Sequence, residues 1–264
     1  MRIQDEALVL RRTPFRESSL VIHLLTRNNG LIGVVAKGVR SSSRRGNSRR
    51  GALAGFHTVN IETISRSPEA MGTLANVEIA TARRKIPFSA KTLAGAQVLL
   101  EVAYRFSVAG DSRSDVMAKL ESSLDLLDAG AEPLELLALS LGVLIHHVGY
   151  GWRGDECAGC RRDDQLLFFS VRRGQVVCQS CGQPYLKRLV PITGNILKYI
   201  QKLAWPPPFG LLSTAEQALL YRIAISSLVR ACGKKLMTDQ PFRSLVGSDL
   251  FTQAGYTPTD MRAS

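Results

Sequence analysis

Four of the five cysteines fall into two pairs with metal-site spacing, Cys157-Ala-Gly-Cys160 and Cys178-Gln-Ser-Cys181, with seventeen residues between them. Two cysteines three apart on a tight turn can bring both thiolates to within about 2.3 Å of one ion, and two such pairs supply the four ligands that zinc takes tetrahedrally. Gly159 and Gly182 are expected to relax the backbone of the two knuckles. Between the pairs, residues 166–171 and 175–177 read as a hairpin turning near Arg173-Gly174, which carries one knuckle to the other. Four protein ligands leave no position for a water, so the expected zinc, one per chain, is structural. A redox role needs only one pair, in a thioredoxin-like context that the sequence lacks. Cys232, beside Val229 and Ala231, reads as a buried small apolar residue. His146 and His147, ten residues before Cys157, read as the end of a helix and not as ligands.

The second constellation is cationic. From Arg27 to Arg50 there are seven basic residues (Arg27, Lys37, Arg40, Arg44, Arg45, Arg49 and Arg50) and no acid. Residues 38–51 mix them with Ser, Gly and Asn and read as a mobile arm between two strands. Arginines on such a backbone can follow a phosphate chain, each contact releasing counterions. The alternative is a solvated loop whose charge serves no ligand. Aromatic residues are few in this part of the chain, chiefly Phe15 and Phe56, so base stacking is expected to be minor and salt dependence steep.

The rest of the chain must position these two groups. Its 264 residues, 45% of them hydrophobic, suffice for a buried core, and its net charge of +12 favours a polyanionic partner. Apolar stretches fall short of the roughly 20 residues of a membrane span. The first ten residues carry acids where a secretory leader is basic and then apolar, so the expected compartment is the cytoplasm, where cysteines pair with metal and not with one another. Residues 1–80 read as a small β domain: an apolar run at 7–10, a turn at Thr13-Pro14-Phe15, strands at 18–26, 31–37, 56–65 and 73–79, and a turn at Asn28-Asn29-Gly30. Five short strands suggest a closed barrel, of OB or SH3-like type as far as periodicity decides. Residues 81–255 read as helical, with helices from Ser89, from Ser112–Asp115, from Pro133 to His147, over 193–203, and from the Ser213-Thr-Ala-Glu216 capping box through Val229. The zinc module, 153–186, is inserted there, and 256–264 is expected to be a flexible tail. The expected fold class is thus α+β.

Catalytic signatures are missing. Gly233-Lys234-Lys235 lacks the upstream glycine and the hydroxyl residue of a phosphate-binding loop, and there is no G-x-S-x-G, no H-E-x-x-H and no carboxylate cluster suited to a nuclease. The expectation is a protein that is not an enzyme.

The order of these features resembles the RecO family of DNA repair proteins. The resemblance is carried by Ala7-Leu-Val-Leu-Arg11, Pro14-Phe-Arg-Glu-Ser18, His23-Leu-Leu-Thr26, Gly30, Lys37-Gly-Val-Arg40 before a Ser/Arg-rich segment, and the late cysteine pairs, over about residues 3–250. It implies an N-terminal OB-fold and a helical C-terminal domain with the zinc module. It also implies binding of single- and double-stranded DNA, annealing of complementary strands, and partnership with RecR in placing RecA on DNA coated by single-strand-binding protein. The candidate DNA-binding residues are Lys37, Arg40, Arg44, Arg45, Arg49 and Arg50; the candidate metal ligands are Cys157, Cys160, Cys178 and Cys181. A different reading, an OB-fold zinc-ribbon protein acting on RNA or in transcription, is separated from it by DNA-annealing activity.

Overall fold

The computed structural model describes residues 1–40, 44–67, 70–111 and 114–252, apart from the side chains of residues 44, 45, 114, 148 and 252. The expected tail at 256–264 lies outside the described residues. Contacts divide the chain into two compact units, Met1–Gly130 and Ala131–Ser264.

In the first unit, β1 (Arg2–Phe15), β2 (Ser19–Thr26), β3 (Gly30–Ala36), β4 (Thr58–Ile64) and β5 (Gly72–Thr81) close a barrel in the order β1-β2-β3-β5-β4. All pairs are antiparallel except the short β3–β5 contact, where Val34 and Val35 meet Gly72 and Thr73. This closure, with a helix between β3 and β4, is that of an OB-fold and not of an SH3-like barrel. Alternate residues fill the interior: Ala7 and Val9 of β1, Ile22 and Leu24 of β2, Val34 and Ala36 of β3, Val59 and Ile61 of β4, and Leu74 and Val77 of β5.

Two local features depart from the sequence reading. Thr13-Pro14-Phe15 does not turn the chain; β1 runs on to Phe15, paired with Ser19 of β2, and the turn comes at Arg16–Ser18. Residues 44–52, expected as part of an arm, form helix α1 (Arg44–Ala52). Its sequence has little intrinsic preference for helix. Its end is held by burial of Ala52 and Leu53 beside Val39 in the barrel core.

Two further helices, α2 (Ala90–Phe106) and α3 (Ser114–Ala129), complete this unit. Arg83, 2% exposed, ties α3 to the barrel. Its guanidinium donates to Asp125 (2.7 Å), to the Phe56 carbonyl (2.9 Å) and to Thr58 Oγ1 (3.2 Å), so the buried charge is both paired and hydrogen-bonded. Gly30, at φ 65°, ends the β2–β3 turn against the residues after α2. A Cβ there would lie 2.8 Å from the Val108 carbonyl oxygen, so only glycine fits.

The second unit is built on α4 (Pro133–Ile145), nearly all of whose residues are buried, and on α7 (Thr214–Cys232), which packs along it. Glu132 caps α4 by accepting from the amides of Leu134 and Glu135, and Ser213 and Glu216 form the expected capping box of α7. Between them lie a three-stranded sheet, β6 (Leu166–Ser170), β7 (Gln175–Cys178) and β8 (Val190–Pro191) in the order β7-β6-β8, the short helix α5 (Gln179–Gly182) and α6 (Gly194–Lys202). Trp152 joins this sheet to the helices, packing edge-on against Phe169 and donating to Ser227 Oγ at 3.2 Å. Two helices not read from the sequence follow, α8 (Asp239–Val246) and α9 (Asp249–Thr252), whose Phe242 and Phe251 rings pack on Tyr221.

Candidate metal centre and nucleic-acid interface

The hairpin β6–β7 brings the two cysteine pairs together. Cys157 and Cys160 lie on the loop before β6, Cys178 ends β7 and Cys181 lies on α5. The loop is fixed to the sheet by its backbone: Ala158 N donates to the Val176 carbonyl (2.9 Å), Val176 N to Arg153 (3.1 Å) and Arg153 N to Gly174 (2.9 Å). The four sulfurs all lie within 4.8 Å of one another, and Cys160 Sγ is 3.7 Å from Cys178 Sγ. Four thiols at this separation can hold one metal ion with no side chain from elsewhere. Neither His146 nor His147 joins the cluster; His147 Nδ1 meets the Val143 carbonyl at 2.9 Å, within its own helical turn.

The environment of the sulfurs suits thiolates unequally. Burial raises the Cys157 thiol, but backbone N–H donors from Cys178, Cys160 and Gly159 outweigh it and bring the group down to about 6. Cys181 is pushed up to about 12, chiefly because it shares hydrogen bonds with the thiols of Cys160 and Cys178, with burial adding to the effect. A cation entering the cluster would meet a thiolate at Cys157 and would have to displace the proton of Cys181. Both glycines serve room and not conformational freedom: a Cβ at Gly159 would lie 3.0 Å from Cys181 Sγ, and one at Gly182 would overlap the Phe168 ring. Cys232, read as buried, is instead half-exposed at the end of α7 and donates to the Lys234 carbonyl at 3.1 Å.

The candidate cationic residues are gathered at one end of the barrel. Lys37 and Arg40, both exposed, lie on the turn after β3, where Gly38 takes φ 70°. Arg40 fastens that turn to the β1–β2 hairpin, its amide donating to the Ser18 carbonyl (3.0 Å) and its guanidinium to the Arg16 carbonyl (3.2 Å). Arg49 donates to the carbonyls of Leu74 (2.8 Å) and Lys37 (3.3 Å), and Arg50 donates twice to that of Val39 (3.2 Å). These two arginines hold α1 onto the barrel while adding their charge to its end. Arg44 and Arg45 contribute the first backbone turn of α1; their side chains lie outside the described residues.

The sequence reading missed part of this surface. Arg11, Arg12 and Arg16 are exposed on the same hairpin that Arg40 contacts. The signal was present in the run Arg11-Arg12-Thr-Pro-Phe-Arg16, but Glu17 interrupts the single-signed charge and Pro14 suggested a turn.

Comparison with known proteins agrees with this architecture along most of its length. The family model for the recombination protein O N terminal matches residues 1–83, and that for the recombination protein O C terminal matches residues 87–237. Among curated relatives, the DNA repair protein RecO of Frankia casuarinae is 33% identical over 190 residues, covering 67% of this chain and 72% of the relative. That of Myxococcus xanthus is 32% identical over 186 residues, 69% of this chain and 73% of the relative. That of Bacillus pumilus is 28% identical over 200 residues, 75% and 76% of the two chains. With both halves matched in order, an OB barrel at the N-terminus and a cysteine cluster in the helical half, the chain belongs to the RecO family of DNA repair proteins.

Proposed function

We propose that this protein is a non-enzymatic recombination mediator of bacterial DNA repair. In this reading it binds single- and double-stranded DNA through the barrel of residues 1–80, anneals complementary strands, and acts with RecR to load RecA onto DNA coated by single-strand-binding protein. Its place of work is the cytoplasm, at the nucleoid; among the described residues no helix is long and apolar enough to cross a membrane. The observation that carries the reading is the cationic end of the barrel, where Lys37 and Arg40 are exposed and fixed to the hairpin, on a chain of a DNA repair family. Phosphate contacts of this kind give affinity without sequence preference and with strong salt dependence.

Equilibrium binding of labelled DNA across a salt series tests it. The double reversal Lys37→Glu and Arg40→Glu is expected to weaken binding to every sequence and to reduce the salt slope by roughly 0.7–0.9 per contact removed, so by up to about two units. Unchanged affinity and slope would place the DNA surface elsewhere.

For the cysteine cluster we assign Zn²⁺, one ion per chain, in a structural role. Tetrahedral zinc with Zn–S bonds of about 2.3 Å sets its sulfurs about 3.8 Å apart, close to the 3.7 Å between Cys160 and Cys178. Four thiolates fill that shell and leave no position for a reacting water. The residues around it, with the backbone N–H groups directed at Cys157, would hold the metal and fasten α5 to the sheet.

A further inference from the structure

We propose that the turn end of the β1–β2 hairpin is a stacking post for single-stranded DNA, where an unpaired base lies on Phe15 and Arg11, Arg16, Lys37 and Arg40 hold the phosphates around it. The inference rests on the DNA-binding reading above and names the residue that would tell single strands from duplex.

The outer half of β1 is an edge of the barrel wall, while β2 stays paired with β3 as far as Leu20. Strand β1 pairs with β4 only over Arg2–Leu8, whereas its pairing with β2 continues to Phe15 and Ser19. The outer half of β1 therefore has one strand neighbour, and residues 11–18 are all exposed. Core packing does not call for this length.

Past the bulge between Val9 and Arg11, the alternation of β1 puts Arg11, Thr13 and Phe15 on one face, about 7 Å apart in turn. Two cation–aromatic pairs result. At the base, the Arg11 guanidinium lies 5.3 Å from the centroid of Tyr104, whose ring meets His23 edge-on, so that aromatic is already packed. At the tip, the Arg16 guanidinium lies 5.2 Å from the centroid of the Phe15 ring, and Phe15 as a residue is 38% exposed. Arg16 does so from φ 54°, a region that side-chain-bearing residues disfavour, at a turn position where glycine would be unstrained.

Its chemistry selects the occupant. Only Glu17 interrupts the positive charge between Arg11 and Arg40, and Phe15 is the sole large exposed hydrophobe in residues 11–18, too small a patch for a protein interface. Guanidinium and ammonium groups serve phosphates of single strands and duplexes alike. An exposed ring beside them adds affinity only where a base is free to leave its stack, since the base faces in a duplex are occupied by neighbouring bases. The composition suggested that stacking would be minor; the placement of this one exposed aromatic beside the turn of a cationic hairpin gives it weight.

Binding of a labelled oligothymidylate and of a mixed-sequence duplex to the full chain tests the proposal. Phe15→Ala is expected to weaken oligothymidylate binding about tenfold with its salt slope unchanged, and to leave duplex binding nearly as it was. Phe15→Trp should restore single-strand affinity, and oligothymidylate should quench its fluorescence beyond any change seen in the native protein. If Phe15→Ala weakens both probes alike, or neither, while reversal of Lys37 and Arg40 still abolishes binding, the stacking post is refuted and DNA binding at the barrel stands. If neither variant alters binding of either probe, the DNA surface lies elsewhere and the stacking post is refuted together with the assignment of binding to this end of the barrel.

Discussion

Cys157 and Cys181 belong to one cluster yet sit at opposite ends of the thiol range, and that inequality governs how a metal enters. Cys157 is ionised above about pH 6, while Cys181 keeps its proton to about pH 12 until a cation displaces it. Metal loading must then release protons across the neutral range, so affinity rises with pH, about tenfold per unit for each proton displaced. Below about pH 6 Cys157 takes up its own proton and the dependence steepens. Competition against a chromophoric chelator at several pH values, with calorimetry in buffers of different ionisation heat, would show this; an affinity independent of pH between about 6 and 8 would contradict it. Removing one ligand gives a second check. Cys178→Ser is expected to lose tightly held zinc and loosen the β6–β7 hairpin while the barrel stays folded, because the barrel core of Ile22, Leu24, Val34 and Val59 contains none of the cysteine region. Loss of the barrel signal together with the metal would show the module to be part of a single folding unit. The cysteines were legible from their spacing alone, since three-residue separation on a turn leaves few other uses for four thiols. The reason for Gly159 and Gly182 was not, because it depends on Cys181 and Phe168 arriving from elsewhere in the chain.

Among the elements, those whose signal is local were readable and those fixed by distant contacts were not. The Asn28-Asn29-Gly30 turn, the Ser89 start of α2, the Pro133 start of α4 and the Ser213 box all carry their own capping or turn chemistry and stand where the sequence puts them. Pro14 misled because a proline interrupts a central strand, whereas here it lies on an edge: it faces Leu20 on one side and has no strand on the other. Helix α1 is rich in Gly, Ser and Asn, and what holds it, Leu53 in the barrel and Arg49 on the Leu74 carbonyl, comes from contacts that no local pattern records. Helix α8 carries Pro241 in its first turn, a place that helices tolerate. The capping box also makes a stability prediction. Glu216 accepts from the Ser213 amide (2.8 Å) and hydroxyl (2.9 Å) and from Thr193, and although burial works to raise its carboxyl these donors hold it below the ordinary value of 4.5. A carboxylate depressed in the folded state stabilises above its unfolded value and loses that contribution as pH falls through the folded one. Glu216→Gln should therefore cost about 1 kcal/mol at neutral pH, with the difference from the native protein shrinking in acid below about pH 4. Denaturant titrations at the two pH values measure it, and an equal loss at both would remove the charge from the explanation.

At the scale of the whole molecule, what matters is where the charge of +12 lies and what it can do without an energy source. On the barrel, a cavity of about 530 Å³ is lined by Asp5, Glu6, Glu62 and Glu78 with Arg27 among them, so the β1–β4–β5 wall is acidic. The cationic hairpin tip lies nine residues further along β1, about 30 Å of extended strand from Glu6 to Phe15. In the proposed reading, a polyanion would be repelled by one region of the barrel and held by the other, which would orient it as well as bind it. No phosphate-binding loop is present in the sequence to draw on ATP. In the proposed reading, strand annealing is driven by base pairing, and the protein's part is to gather two strands on cationic surface and reduce their mutual repulsion. Salt acts on this process twice: it weakens capture by the protein and also screens the strands from each other in free solution. The advantage of the protein over the spontaneous reaction is therefore expected to be greatest at low ionic strength and to vanish as salt rises, with no effect of ATP or its analogues at any point. Following annealing of complementary labelled strands by energy transfer across a salt series, with and without nucleotide, tests both halves. A rate that climbs when ATP is added to the purified protein alone would mean that a catalytic site exists where the sequence shows none.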